Sequence, residues 1–366
     1  MPYSWVMDEV LPDIARKGRG AVSNATGRFE PEQRQRVDDG WDDGDAELAP
    51  LDTVYARDSA KTIIARNDSP DVPFDRSVNP YRGCEHGCIY CYARPSHAYL
   101  GLSPGLDFES RIFVKEDAPQ LLAAELSKPS YTCQSITLGA NTDAYQPVER
   151  NLGLTRRILE VLRAFRHPVC IITKSALVQR DIDILAPMAA ERLAAVAVSL
   201  TTLDRTLARR MEPRAATPER RLETMTALSQ AGIPVAVMAA PMIPALNDAE
   251  LEHILEAASR AGACSAGYTL LRLPLEIAPL FEEWLATLAP DRAKHVMSLI
   301  RQARGGKAYD SQWGTRMRGT GPYAEMLRIR FERARRRFGL ERGRAWQLDT
   351  TRFRPPARVG DQLSLF

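Results

Sequence analysis

The chain reads as an α/β protein: a partial (β/α)6 barrel of the TIM type, with an N-terminal extension and a C-terminal helical region. Six short apolar runs of β character predict it: SVNPYR (77–82), SITLGA (135–140), VCIITK (169–174), AAVAVSL (194–200), PVAVMAA (234–240) and SAGYTLL (265–271). Amphipathic stretches lie between them. Continuous apolar strands alternating with helices make a parallel sheet buried on both faces. Six such units point to a barrel or partial barrel rather than a sandwich. Such folds carry their chemistry at the C-terminal ends of the strands.

Residues 1–70 form the N-terminal extension and carry weak periodicity. Its acidic segment DDGWDDGDAE (38–47) reads as loop or disorder. Lys17, Arg19 and Arg28 in ARKGRGAVSNATGRFE read as a solvated arm, with a substrate-covering flap as the alternative. The barrel spans 71–275. Within it, VERNLGLTRRILEVLRAF (148–165) is expected as one helix with Leu152, Thr155, Ile158, Leu159 and Leu162 on one face. TPERRLETMTALSQAG (217–232) takes Thr217 as N-cap, Pro218 in the first turn and Gly232 as C-cap. Arg220 stands where a capping box would need an acidic or amide side chain. The helical region, 276–340, holds EIAPLFEEWLATLAP and DRAKHVMSLIRQARGG, then the Gly-rich loop GGKAYDSQWGTRMRGTG (305–321), then the basic helix PYAEMLRIRFERARRRFG (322–339). The tail, 341–366, contains Pro355, Pro356 and Gly360 and reads as extended.

Composition narrows the function class. The 366 residues are 45% hydrophobic and 26% charged, enough for a sizeable core. A net charge of +3 gives no global attraction to polyanions, so any nucleic-acid contact rests on local patches. No apolar run has the length of a membrane span, and the first residues lack the apolar core of a signal peptide. A cytoplasmic location follows as the expectation. Three of the six cysteines, Cys84, Cys88 and Cys91, crowd into eight residues, while Cys133, Cys170 and Cys264 are scattered. In a reducing compartment such a triplet is a metal or cluster site, not a disulfide framework.

The triplet lies in NPYRGCEHGCIYCYARPSHAY, with the spacing Cys-x3-Cys-x2-Cys. Three thiolates on one loop hold three irons of a 4Fe-4S cubane and leave the fourth without a protein ligand. That open iron can chelate the amino and carboxylate groups of S-adenosylmethionine, whose reductive cleavage yields a 5′-deoxyadenosyl radical. Gly83 and Gly87 permit a tight wrap, and Tyr90 is placed to lie near the adenine. The competing reading is a zinc knuckle completed by His86 or His97, though zinc sites more often pair two Cys-x2-Cys units across a longer loop.

With an aromatic before its last cysteine, this motif resembles the radical S-adenosylmethionine superfamily. NPYRGCEHGCIYCYAR, LGANTDAYQPVE, ITKS, AVSLTTLD and MEPRAATPERRLE together resemble its spore photoproduct lyase-like branch, often labelled DNA repair photolyases, over about residues 60–340. The resemblance implies that Thr142 and Asp143, after the second strand, contact the methionine moiety. Lys174, at the third strand end, needs an anionic partner. The cofactor carboxylate would serve, as would a core carboxylate. Ser199, with Thr201 and Thr202 beyond it, suits the ribose or carboxylate. Arg214 is assigned either to cofactor and substrate or to a network with Glu212. Spore photoproduct lyases use a hydrogen-donating cysteine near the second strand end. Here Ala140 and Asn141 occupy that stretch, and Cys133 lies too early. Lyase activity is therefore not expected, while radical generation is.

Two features bear on partners. Residues 325–344 hold eight arginines (Arg328, Arg330, Arg333, Arg335, Arg336, Arg337, Arg342 and Arg344) against Glu325, Glu332 and Glu341. They form either a phosphate-contacting surface or a solvated helix face. The segment QLSLF, with Gln362, Leu363, Leu365 and Phe366 as contacts, resembles the peptide by which bacterial replication and repair proteins dock on the DNA sliding clamp. The expected function is radical generation from S-adenosylmethionine acting on nucleic acid, with an electron donor such as flavodoxin or ferredoxin. The alternatives are modification of a tRNA or peptide, and a non-catalytic Fe-S adaptor on the clamp.

Overall fold

The structure, a computed structural model, describes residues 15–31, 33, 51–341 and 347–356. Ten strands are present among them: β1 Val54–Arg57, β2 Ile64–Arg66, β3 Arg76–Val78, β4 Tyr81–Arg82, β5 Arg111–Val114, β6 Ile136–Leu138, β7 Val169–Thr173, β8 Ala194–Ser199, β9 Val235–Met242 and β10 Ser265–Leu270. The helices are α1 Leu106–Ser110, α2 Ala118–Leu126, α3 Glu149–Leu152, α4 Leu154–Ala164, α5 Ile182–Ala190, α6 Arg205–Met211, α7 Pro218–Gln230, α8 Leu251–Arg260, α9 Ile277–Leu288, α10 Pro290–Gln302 and α11 Gly321–Arg337.

The main sheet runs β10-β9-β8-β7-β6-β3-β2. Its six strands from β3 to β10 are mutually parallel and stand in chain order; β2 closes one edge antiparallel to β3. Among the described residues no hydrogen-bonded ladder joins β10 to the other edge, so the barrel is partial. All six residues of β8 are buried, as a strand covered on both faces requires. Leu154, Ile158, Leu159 and Leu162 of α4 and Leu251, Ile254 and Leu255 of α8 bury into the same core. A second core packs α9 and α10, through Phe281, Trp284, Val296 and Ile300, against Ile89 and Tyr90 of the cysteine loop.

Four expectations change. The run 77–82 is not one strand: it breaks at Asn79 and Pro80, where proline lacks a ladder donor, and Tyr81–Arg82 pairs instead with β5 in a small sheet of order β1-β5-β4. The helix expected over 148–165 is interrupted at Gly153, which is left-handed (φ 59°), so Leu152 is exposed rather than on the buried face. The extension contributes strands β1 and β2, and residues 20–23 of its arm are buried with Arg19 half-buried, while Lys17 and Arg28 are exposed. The tail is not simply extended: Phe353 packs on Tyr131, Phe165 and His167 at the N-terminal end of the barrel strands, and the Arg354 N–H donates to the Phe165 carbonyl at 2.9 Å. The acidic segment 38–47, Arg342, Arg344 and the QLSLF segment lie outside the described residues.

Candidate active site

The cysteine loop leaves β4 and crosses the C-terminal ends of the barrel strands. Cys84 and Cys88 are buried, Cys91 is half-buried, and all three are free thiols. The loop is held by its own turns: the Gly87 N–H donates to the Cys84 carbonyl at 3.2 Å and the Cys91 N–H to the Cys88 carbonyl at 3.1 Å. Gly83 and Gly87 are both left-handed (φ 78° and 66°), and a Cβ on Gly83 would press on His97 and on the Phe108 carbonyl. Burial pushes the Cys84 and Cys88 thiols well above their ordinary values, aided for Cys84 by the Asp143 charge. Buried thiolates therefore need positive charge beside them, which irons supply. Among the described residues no three His, Cys, Asp or Glu side chains converge on a single ion.

Each histidine named in the zinc reading has one ring nitrogen in a polar contact. His86 Nδ1 lies 3.3 Å from the Asp143 carboxylate, and His97 Nε2 lies 3.0 Å from the Arg111 carbonyl.

Behind the loop sits a brace that sequence reasoning missed. Arg94 is fully buried and donates to the carbonyls of Cys88 (2.9 Å), Gly87 (3.1 Å), Pro104 (3.1 Å) and Gly105 (2.9 Å), and to Glu109 at 2.5 Å. All its hydrogen-bonding groups are thus used, the condition under which a buried ion pair is tolerable. Glu109 in turn accepts the N–H groups of Gly20 (2.9 Å) and Ala21 (2.8 Å). The N-terminal arm is therefore part of the cysteine loop's wall, and a Cβ on Gly20 would collide with the Gly87 carbonyl. Glu85, between the first two cysteines, is a second missed hub. It accepts the Val148 N–H at 2.7 Å and the Tyr55 hydroxyl at 3.1 Å, and its own N–H donates to Gln146 at 2.8 Å.

The strand ends converge on the mouth above this loop. Thr142 is buried and donates its hydroxyl to the Tyr81 carbonyl at 3.0 Å. Asp143 accepts from the Thr173 hydroxyl (2.7 Å), the Lys174 N–H (2.8 Å) and the Tyr145 N–H (2.9 Å). Burial raises its pKa, but His86 and these donors outweigh that and hold it down to about 2, so it is a carboxylate that ties β6, β7 and the cysteine loop together. Gly139 is left-handed (φ 85°), and a Cβ there would collide with the Ile172 carbonyl. The Lys174 ammonium lies 5.7 Å from the Tyr90 ring centroid and has no ion pair among the described residues. The core carboxylate offered as its alternative partner is not there. Ser199 is buried, and its carbonyl accepts from Arg221 at 3.0 Å. Tyr90 and Thr201 both donate to Glu212, Thr201 at 2.7 Å, and Arg221 pairs with the same carboxylate. Glu212 thus serves Arg221 rather than Arg214. Arg214 pairs with Glu85 at 3.0 Å and reaches Thr53 at 3.1 Å, which puts its guanidinium on the cysteine loop.

The remaining cysteines stand apart. Cys133 and Cys264 precede β6 and β10, and Cys170 is the second residue of β7, so all three lie at the N-terminal end of the sheet. On α11, Arg328, Arg330, Arg335 and Arg336 lie within ion-pair distance of Glu325, Glu252, Glu332 and Glu341, which leaves Arg333 and Arg337 as the arginines of the helix without a carboxylate among the described residues.

The radical SAM superfamily model matches residues 78–258. An uncharacterized protein of Mycobacterium tuberculosis, and one of Mycobacterium bovis, are 38% identical over 233 residues, covering 63% of this chain and 68% of theirs. An uncharacterized protein of Methanocaldococcus jannaschii is 31% identical over 175 residues, 47% of this chain and 62% of its own. Among solved structures, spore photoproduct lyase complexed with dinucleoside spore photoproduct superposes with a TM-score of 0.58 at 15% identity, over 78% of this chain and 79% of that one. A double mutant of that lyase, with bound AdoMet and the same dinucleoside, gives a TM-score of 0.57 at 14% identity over 78% and 79% of the two chains. At these identities the likeness is one of fold.

Proposed function

Because this chain belongs to the radical SAM superfamily, and is thus a radical SAM enzyme whose cofactors are a 4Fe-4S cluster and S-adenosylmethionine, we propose that Cys84, Cys88 and Cys91 hold the cluster and that nucleic acid is the substrate. The observation that carries the site assignment is the disulfide-free thiol triplet, two of its members buried and Cys91 half-buried, under the C-terminal ends of six parallel strands. Bound there, the group supplies one-electron cleavage of the sulfonium to a 5′-deoxyadenosyl radical.

The chain's own residues do the rest. Lys174, a cation with no carboxylate of its own, takes the cofactor carboxylate. Ser199 offers its hydroxyl to the ribose. Tyr90, fixed through its hydroxyl by Glu212, keeps its ring against the adenine. Thr142 and Asp143 shape the wall of the methionine subsite. Asp143 acts there by fixing the backbone after β6 to the segment that follows β7, since its carboxylate already accepts from the Thr173 hydroxyl and the Lys174 N–H. Arg214, bound to Glu85, holds the loop from outside. The lyase fold, seen elsewhere with a dinucleoside lesion, supports the nucleic-acid reading. So does the QLSLF segment, whose docking on the sliding clamp would raise the local concentration near DNA. The enzyme acts in the cytoplasm with an electron donor such as flavodoxin or ferredoxin.

Anaerobic reconstitution tests the reading. The protein should take up about four irons per chain and form 5′-deoxyadenosine, faster with damaged DNA present. A triple Ala variant at the three cysteines should lose the visible absorbance. A full cluster in that variant, or stoichiometric zinc without iron, would sink the assignment. For the tail, clamp binding on the order of micromolar should vanish in a truncation ending at Asp361.

A further inference from the structure

From Leu270 the chain continues past β10 into Arg272, on the side of the sheet that carries the cysteine loop. The Arg272 guanidinium lies 5.4 Å from the ring centroid of Tyr92, the neighbour of Cys91, and 5.8 Å from that of Tyr309. Tyr92 itself donates to the Ala140 carbonyl beyond β6, which puts this arginine at the barrel mouth. Its hydrogen bonds are weak ones: to the Tyr309 hydroxyl and to the Met317 sulfur, each at 3.3 Å. Its Nε is buried with no acceptor. No carboxylate pairs with it among the described residues.

The surroundings deepen this imbalance. Arg304 is buried and is met only by carbonyls, those of Leu271 (2.8 Å), Arg316 (2.7 Å), Leu270 (3.2 Å) and Thr315 (3.3 Å). Burial and the Arg272 charge lower it to about 10. The acids nearby are already used. Asp71 takes Arg316 and the Gly314 N–H, and Asp310 takes the Gln312 N–H and the Thr315 hydroxyl. The loop that carries Tyr309 is fixed to the sheet by the Leu270 N–H on the Met317 carbonyl at 2.9 Å. The same loop exposes Trp313, 56% accessible, between Lys307 and Arg318.

We propose that Arg272 is an anion-binding residue of the substrate site, taking a phosphate of a nucleic-acid strand, with Tyr309 as a stacking surface beside it and the exposed Trp313 further along the same loop. A half-buried planar fork with free donors and no counter-charge matches a phosphate better than any group the protein offers it. Aromatic residues interleaved with basic ones are the composition of single-strand sites. The proposal deepens the nucleic-acid reading above and rests on it.

The test titrates cluster-loaded wild type, R272Q and R272K with a labelled single-stranded oligonucleotide by anisotropy, and with inorganic pyrophosphate by tryptophan fluorescence. R272Q should weaken oligonucleotide binding by roughly tenfold or more and lower the salt slope by about one. R272K should recover part of the affinity. Pyrophosphate should compete in wild type and not in R272Q. Equal affinity and salt slope in wild type and R272Q, with the cluster spectrum intact in both, overturns the proposal. Should Gln at this position cost the cluster, R272M with its cluster intact decides: oligonucleotide affinity and salt slope unchanged from wild type overturn it. Arg272-dependent pyrophosphate binding without oligonucleotide binding keeps the anion site and removes the nucleic-acid reading. A wild type that binds neither removes both.

Discussion

At the scale of single residues, the most informative side chains are those whose charge is uncompensated or whose proton is displaced. Lys174 is the first kind. With no carboxylate to hold it, its loss should cost little stability and much affinity. Lys174→Ala and Ser199→Ala should each keep the cluster absorbance and weaken S-adenosylmethionine binding by roughly tenfold, read by calorimetry. Unchanged affinity in both would mean that the cofactor lies on another face. His167 is the second kind. It is buried with Nε2 2.7 Å from the Tyr131 hydroxyl and Nδ1 2.9 Å from the Pro168 carbonyl, one acceptor and one donor, the pattern of a neutral imidazole. Burial lowers its pKa from 6.5 to about 4. The unfolded chain therefore takes up a proton that the folded chain refuses. This contribution is fully present above pH 6.5 and fades as pH falls toward 4, a loss of about 3 kcal/mol at one unit per 1.36 kcal/mol. Denaturant midpoints across that window should fall for wild type and fall less steeply for H167Q. Part of the slope that remains belongs to His97, buried and lowered to about 4 in the same way. Equal slopes in the two proteins would contradict the assignment.

At the scale of elements, the cysteine loop is only as firm as the arm and helix behind it. Gly20 and Ala21 donate to Glu109, Glu109 pairs with Arg94, and Arg94 holds the Gly87 and Cys88 carbonyls. Gly20→Val should force the arm off Gly87, at a cost of roughly 1–3 kcal/mol by overpacking. The reconstituted variant should lose its visible absorbance to a chelator several-fold faster than wild type, and equal rates would show the arm to be ornamental. None of this brace was legible in the sequence. Arg94 and Glu109 stand in a stretch without periodicity, and the arm's charges argued for solvent. A buried pair closed through backbone carbonyls arises only when the loop, α1 and the arm meet. The six barrel strands were legible because continuous apolar runs have no other use between amphipathic helices. So was α7, with its proline start and its Thr217 cap on the Arg220 N–H at 3.4 Å. The interruption at Gly153 escaped because hydrophobic period alone does not register a single left-handed residue. Arg272 escaped for a related reason: a lone arginine in an apolar run carries no signal until its lack of a partner is seen.

At the scale of the whole molecule, strand direction sorts the cysteines. A parallel sheet has one chemical end, and β6, β7 and β10 all deliver their C-termini to the mouth. Cys84, Cys88 and Cys91 lie there, while Cys133, Cys170 and Cys264 lie at the opposite end. A strand of five residues spans about 16 Å, so a thiol at the far end cannot reach a substrate radical held at the mouth. The stretch after β6 offers Ala140 and Asn141 instead, and Tyr92 already occupies the Ala140 carbonyl. A thymine radical formed in this site therefore meets no protein thiol other than the cluster's own ligands. The chain, despite its lyase fold, should not restore spore photoproduct cleanly. Incubated anaerobically with the dinucleoside lesion, cofactor and reductant, it should give slow conversion with adducts or abortive turnover, resolved by chromatography and mass spectrometry. Placing a cysteine at Ala140 should raise the yield of intact thymines, because it supplies a hydrogen atom at the mouth without disturbing the barrel. Clean multiple-turnover repair by the unmodified chain would instead mean that another group donates the hydrogen atom, and the division of thiols between the two ends of the sheet would carry no functional weight.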